Sequence, residues 1–200
     1  MSGGLFVTLD AAALARLADQ IAAAGAKAPL ALARAINHTG AKARTQMIRA
    51  LAPQTGLKRR TIVKALRETK AGAGGLTYTI RSRGGDVGLK HFGARETATG
   101  VSSAPWNKRS VYGGSFMRAG WWPHRVTKAN WNGQVFYRSG GKTSTYRADG
   151  RGRMDRFVKA KSGLFIPDEM VAGASGAAFG ATVERDLPDR LAHELGRVLG

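Results

Sequence analysis

Cysteine is absent from this chain of 200 residues. That lack excludes disulfides, thiolate nucleophiles and cysteine-ligated zinc, and it removes any dependence on an oxidising compartment. Acidic residues are scarce, with 13 Asp and Glu in all, so a carboxylate-rich metal cluster has little to be built from. No apolar stretch approaches the roughly 20 residues that span a bilayer. The opening MSGGLFVTLDAAALARLADQ puts no basic region ahead of an apolar run. A soluble protein made inside the cell, with no membrane partner, is the expectation.

Positive charge is what the chain has in excess. Lys and Arg number 32, for a formal charge of +19. Such a surplus points to a polyanionic neighbour, nucleic acid above all, or to an acidic protein; the plainer alternative is solubility. The hydrophobic fraction of 43% is enough for a core. Glycine is abundant, 27 in all, and clusters such as Ala71–Gly75 and Gly84–Gly85 mark long turns.

Periodicity predicts an α+β chain read as one domain of residues 1–200. It has a helical part over 1–70, strands and long loops over 76–170, and a C-terminal helix over 183–199. Leu14, Leu17 and Ile21 repeat at helical spacing before Gly25. A long amphipathic helix then runs from Pro29 to about Ala52, ahead of Pro53. Leu32, Ile36, Ala43, Met47 and Leu51 fall on its inner side; Arg34, His38, Lys42 and Arg49 fall on its outer side. A short helix over Lys58–Arg67 turns Ile62 and Leu66 inward. Its opening Lys58, Arg59 and Arg60 oppose the helix dipole, so these cations bend into solvent or meet an anionic partner. LTYTIR (76–81) and VGLKHF (87–92) alternate as strands and are expected to pair as a hairpin of a small, mainly antiparallel sheet. QVFYR (134–138) and GLFIP (163–167) read as further strands, and residues 94–134 as loop. Leu187, Leu191, Leu195 and Val198 define the terminal helix, with Pro188 near its start.

The chemistry-bearing motifs are weak. SGGKTST (139–145) has Phe136 where a phosphate-binding loop needs glycine, and no helix is expected after it, so a nucleotide cofactor is rejected. His38, His91, His124 and His193 lie in four separate elements without ligand spacing, which argues against metal. His91 and Glu96 would act as an acid–base pair only if both faced one pocket. His91 shares a predicted strand face with Val87 and Leu89 and reads as structural. The expectation is a non-enzyme without cofactor or metal. Basic and aromatic residues interleave between 103 and 131. Trp106, Trp121, Trp122 and Trp131 suit base stacking, or anchoring at a protein interface, which is the favoured reading.

Several segments together resemble the minor tail protein Z family of tailed bacteriophages and prophages, the tail-completion proteins of long non-contractile tails. They are ALARAINHTGAKARTQMIRAL, TGLKRRTIVKAL, LKHFGARETATGV, GSFMRAG and VFYRSG, with LFIP at 164–167. The likeness covers about residues 28–175, discontinuously, and departs at the tryptophan-rich stretch 103–131 and the basic link 147–161. It implies a structural virion protein at the head-proximal end of the tail, acting in tail completion and head–tail joining. The implied partners are the tail terminator, the connector and further copies of the chain in a ring, six-fold by family expectation. Double-stranded DNA would pass through that ring. Arg34, Lys42, Arg49, Lys58, Arg59, Arg60 and Arg95 are the candidate contacts to DNA or partner, and the four tryptophans the candidate interface aromatics. A sequence-independent nucleic-acid-binding protein is the alternative.

Overall fold

A computed structural model describes residues 11–120, 122–146 and 152–200. Helix α1 (Ala11–Ala24) leads through a 3-10 turn at Gly25–Lys27 into α2 (Ala28–Thr55). At 1.5 Å per residue the 28 residues of α2 extend about 42 Å. Its two faces divide as the periodicity predicts. Ala43, Met47 and Leu51 are buried, Leu32 and Ile36 half-buried, and Arg34, His38, Lys42 and Arg49 exposed. Pro53 does not stop the helix at Ala52. It sits in the last turn, where its fixed φ suits a helix, and the stop comes at Gly56 with φ +77°. A Cβ on Gly56 would lie 3.0 Å from the Ala104 carbonyl oxygen.

The chain divides into two compact units, one of the described residues up to Gln54 with 59–84 and 166–200, the other of 55–58 and 85–165. In the first, Ala24, Ala28, Ala31 and Ala35 pack with Leu191 and Leu195 of α5 (Gly173–Leu199), flanked by Ile21, Leu32, Leu187 and Val198. Alanine at these positions lets the helix backbones approach closely, and each fully buried leucine contributes about 1.5–3 kcal/mol. The terminal helix begins ten residues before the predicted 183, because its small residues are packing positions. Ser175 and Gly176 are buried, and a Cβ on Gly176 would stand 2.5 Å from the Val171 oxygen at the end of α4 (Ile166–Val171). Gln54 closes this corner, donating to the Glu169 carboxylate at 2.8 Å and accepting from the Ser175 amide at 2.9 Å.

After α3 (Arg59–Ala65), which buries Ile62, the chain is already extended at β1 (Leu66–Thr69). Here the predicted helix to Arg67 and the predicted 76–81/87–92 hairpin are both corrected. β2 (Thr79–Ser82) pairs back with β1 in antiparallel register, Leu66 opposite Ser82. Side chains of α2 fix this choice. Asn37 donates to the Ala71 carbonyl at 2.9 Å and accepts from the Ala71 amide at 2.8 Å, holding the connecting loop. The Tyr78 ring lies over Gly40, its hydroxyl donating to Glu68 at 2.7 Å, and Arg44 pairs with Glu68 at 3.4 Å. Burial first, and then the Glu68 bond, push the Tyr78 hydroxyl's pKa far up.

In the second unit, residues 87–89 pair with 160–164 through Val87 N to Leu164 O at 2.9 Å and Leu89 N to Ala160 O at 3.2 Å. The predicted strand ends there in a 3-10 turn, Leu89–Phe92, which buries Leu89 and Phe92 three residues apart and leaves His91 half-buried. Gly93, at φ +63°, releases the chain into a meander of β3 (Arg95–Glu96), β4 (Gly100–Ser103) and β5 (Ser110–Gly113), within the span predicted as loop. Gly100 is required: a Cβ there would collide with the Tyr112 carbonyl on β5. Leu89, Val101, Val135 and Ala160 form the core of this unit. A long ribbon, β6 (Phe136–Tyr146) with β7 (Arg153–Lys159), completes it. Of the predicted strand 163–167, Leu164 is buried and accepts from the Val87 amide, but no strand forms there, and Ile166 opens α4 with Pro167 in its first turn. The class is α+β, with three small antiparallel sheets among the described residues in place of one.

Candidate interaction surface

The cations singled out in the first unit sit where a helix of 3.6 residues per turn must put them. Arg34, Lys42 and Arg49 fall within an arc of about 80° on α2, and all are exposed. Arg34 and Arg49 form no ion pair among the described residues, whereas Lys42 binds Asp186 of α5 at 2.7 Å. Arg185, and then Lys42, hold the Asp186 carboxyl well below the usual carboxylate range. Lys42 is therefore a structural tie as well as a surface charge. Arg59 and Arg60 are exposed at the start of α3, and Lys58 before them is exposed too, so all three are accessible to solvent or to an anionic partner.

In the second unit Arg95 is exposed on β3. Its neighbour Glu96 is committed elsewhere. The carboxylate is 3% exposed, ion-paired to Arg125, and accepts from the Met117 amide at 3.2 Å. Burial, and then Lys90, lower the pKa of His91, which favours the neutral ring.

The tryptophans separate by environment. Trp106 is 39% exposed and Trp122 50% exposed, while Trp121 lies outside the described residues. Trp131 is half-buried in a cluster of four rings. Its centroid lies 5.2 Å from Phe136, 5.8 Å from Phe157 and 5.9 Å from Phe116, each contact edge-on. Sequence reasoning missed this cluster, since its members lie in separate segments joined only by strand pairing. The signal open to it was the phenylalanine in each of GSFMR, VFYR and RFVK.

Among the described residues no group of three His, Cys, Asp or Glu side chains could hold a metal ion, and no helix is long and apolar enough to cross a membrane. The SGGKTST segment is part of β6, so it lacks the helix N-terminus that a phosphate loop uses. Comparison of the chain with protein-family models, curated proteins and solved structures finds no match.

Proposed function

We propose that this chain is a structural subunit of the tail-completion kind, acting in head–tail joining of a tailed phage or prophage and lying near the path of its DNA. The observation that carries the reading is the row of exposed cations along a helix of about 42 Å, in a chain of charge +19. Repeated around a ring, such a row multiplies into a strong positive field toward a polyanion at the centre. The sequence likeness to minor tail protein Z supports the same role. Exposed Trp106 and Trp122 suit the heterologous contacts that ring closure needs, with copies of the chain or with terminator and connector proteins. The role requires no catalytic group, and its site of action is the head-proximal end of the tail, after assembly in the bacterial cytoplasm.

The reading is tested by the double charge reversal Arg34→Glu with Arg49→Glu, two exposed positions where the fold should tolerate change. Particles carrying it should assemble with the protein in place but join DNA-filled heads poorly. Normal yields of infectious particles would overturn the role given to this row.

A further inference from the structure

The second unit contains a cavity of about 340 Å³ at the base of the β6–β7 ribbon. Three of its lining residues are rings of the aromatic cluster, Phe116, Trp131 and Phe157, and three are cations, Arg118, Lys128 and Arg138. Arg138 is fixed, its guanidinium 5.0 Å above the Phe116 ring and 3.5 Å from Asp155. Arg118 and Lys128 are exposed and form no ion pair among the described residues. Among the described residues the lining includes no carboxylate, although it does include the Asn130 amide. The surrounding sequence is equally one-sided, with 15 Lys and Arg against 4 Asp and Glu over residues 85–165.

We propose that this cavity receives one unpaired nucleotide of a single-stranded nucleic acid. The base lies against the Trp131 and Phe157 rings that line the cavity, and the flanking phosphates lie against Arg118 and Lys128. Three features select this ligand. Aromatic rings with cations at the same mouth are the pairing that a base and its phosphates require. The volume falls near the lower end of the roughly 300–1,000 Å³ typical of small-ligand pockets, which suits one nucleotide unit. A duplex keeps its base faces stacked inside and offers only edges and phosphates, so the ring-lined wall would be idle against it. Asn130 carries both a donor and an acceptor for a base edge. The site does not depend on the assembly role proposed above: an isolated chain would possess it whether or not it enters a particle.

The test uses the purified full chain with a labelled oligothymidylate, a hairpin duplex of equal phosphate number, and heparin. Fluorescence anisotropy and intrinsic tryptophan emission are read at several salt concentrations. The single strand is expected to bind at least about tenfold more tightly than the duplex and to quench tryptophan emission, as stacking against the half-buried Trp131 requires. Arg118→Ala with Lys128→Ala, both exposed, should leave the far-UV circular dichroism unchanged. The pair should weaken single-strand binding roughly tenfold and reduce the salt slope by about 1.4, two phosphate contacts at ~0.7 each. Trp131→Phe keeps a ring in the cluster and should remove most of the quenching. Equal binding of duplex, heparin and single strand with the same loss in the variants would overturn the proposal, as would no binding of the single strand.

Discussion

Replacing Gly40 with alanine sets two physical effects against each other at one atom. Gly40 lies in the interior of α2, where alanine is favoured over glycine by about 1 kcal/mol from helix propensity alone. The structure reverses that sign. A Cβ built on Gly40 would stand 2.5 Å from Cδ1, 2.6 Å from Cγ and 2.9 Å from Cε1 of Tyr78, inside van der Waals contact with the ring face. The ring cannot withdraw freely, because its hydroxyl is bonded to Glu68 at 2.7 Å and Thr79, next in the chain, opens β2. Overpacking of this kind costs about 1–3 kcal/mol, and weakening a partly exposed hydrogen bond adds roughly 0.5–1 kcal/mol. Gly40→Ala should therefore lower stability by about 1–2 kcal/mol net of the propensity gain. In a chain that already carries Tyr78→Ala the clash is gone, and the same substitution should raise stability by about 0.5–1 kcal/mol. Urea unfolding of the four chains of this cycle, followed by far-UV circular dichroism, reads the coupling directly. Stabilisation by Gly40→Ala in both backgrounds would refute the packing of Tyr78 on the helix.

Other positions make sharper or simpler demands. Arg125→Met leaves the buried Glu96 carboxylate without its cation and should cost about 3–5 kcal/mol; Glu96→Gln, which still accepts from Met117, should cost clearly less, and chemical denaturation distinguishes them. Gly100→Ala should destabilise the second unit more than Gly113→Ala, because a Cβ meets the Tyr112 carbonyl at the first position and open space at the second; hydrogen exchange across β4 and β5 would register the difference. For His91 the folded pKa lies below the ordinary value near 6.5. The unfolded chain then binds the extra proton first, so stability should fall as pH drops below about 6.5 and level off below the folded pKa. His91→Gln should flatten that part of the pH–stability curve, and an unchanged slope would contradict the neutral, packed ring.

The helical framework was legible because α2 obeys its period: Ala43, Met47 and Leu51 on one side and Arg34, Lys42 and Arg49 on the other. The strand partners were not legible in the same way. LTYTIR has the alternation of a strand, but its partner is selected by Asn37 and Gly40 on a helix some forty residues earlier in sequence. VGLKHF alternates for two residues and then turns, since Leu89 and Phe92 reach the core together only in a tighter helix. The small-residue start of α5 lacked an apolar stripe because its packing consists of close backbone approach at Ser175 and Gly176. Of the candidate surface, the cations of α2 could be placed from sequence, but the Asp186 partner of Lys42 and the packed state of Trp131 required the fold.

The central claim, that the chain is a ring-forming part of a phage tail built around DNA, is tested most directly by its state in the particle. Purified tails, crosslinked and then dissociated, should yield this chain as a closed oligomer of defined mass located at the head-proximal end by gold-labelled antibody. A chain that stays monomeric at all concentrations and is absent from tails and virions would contradict the account.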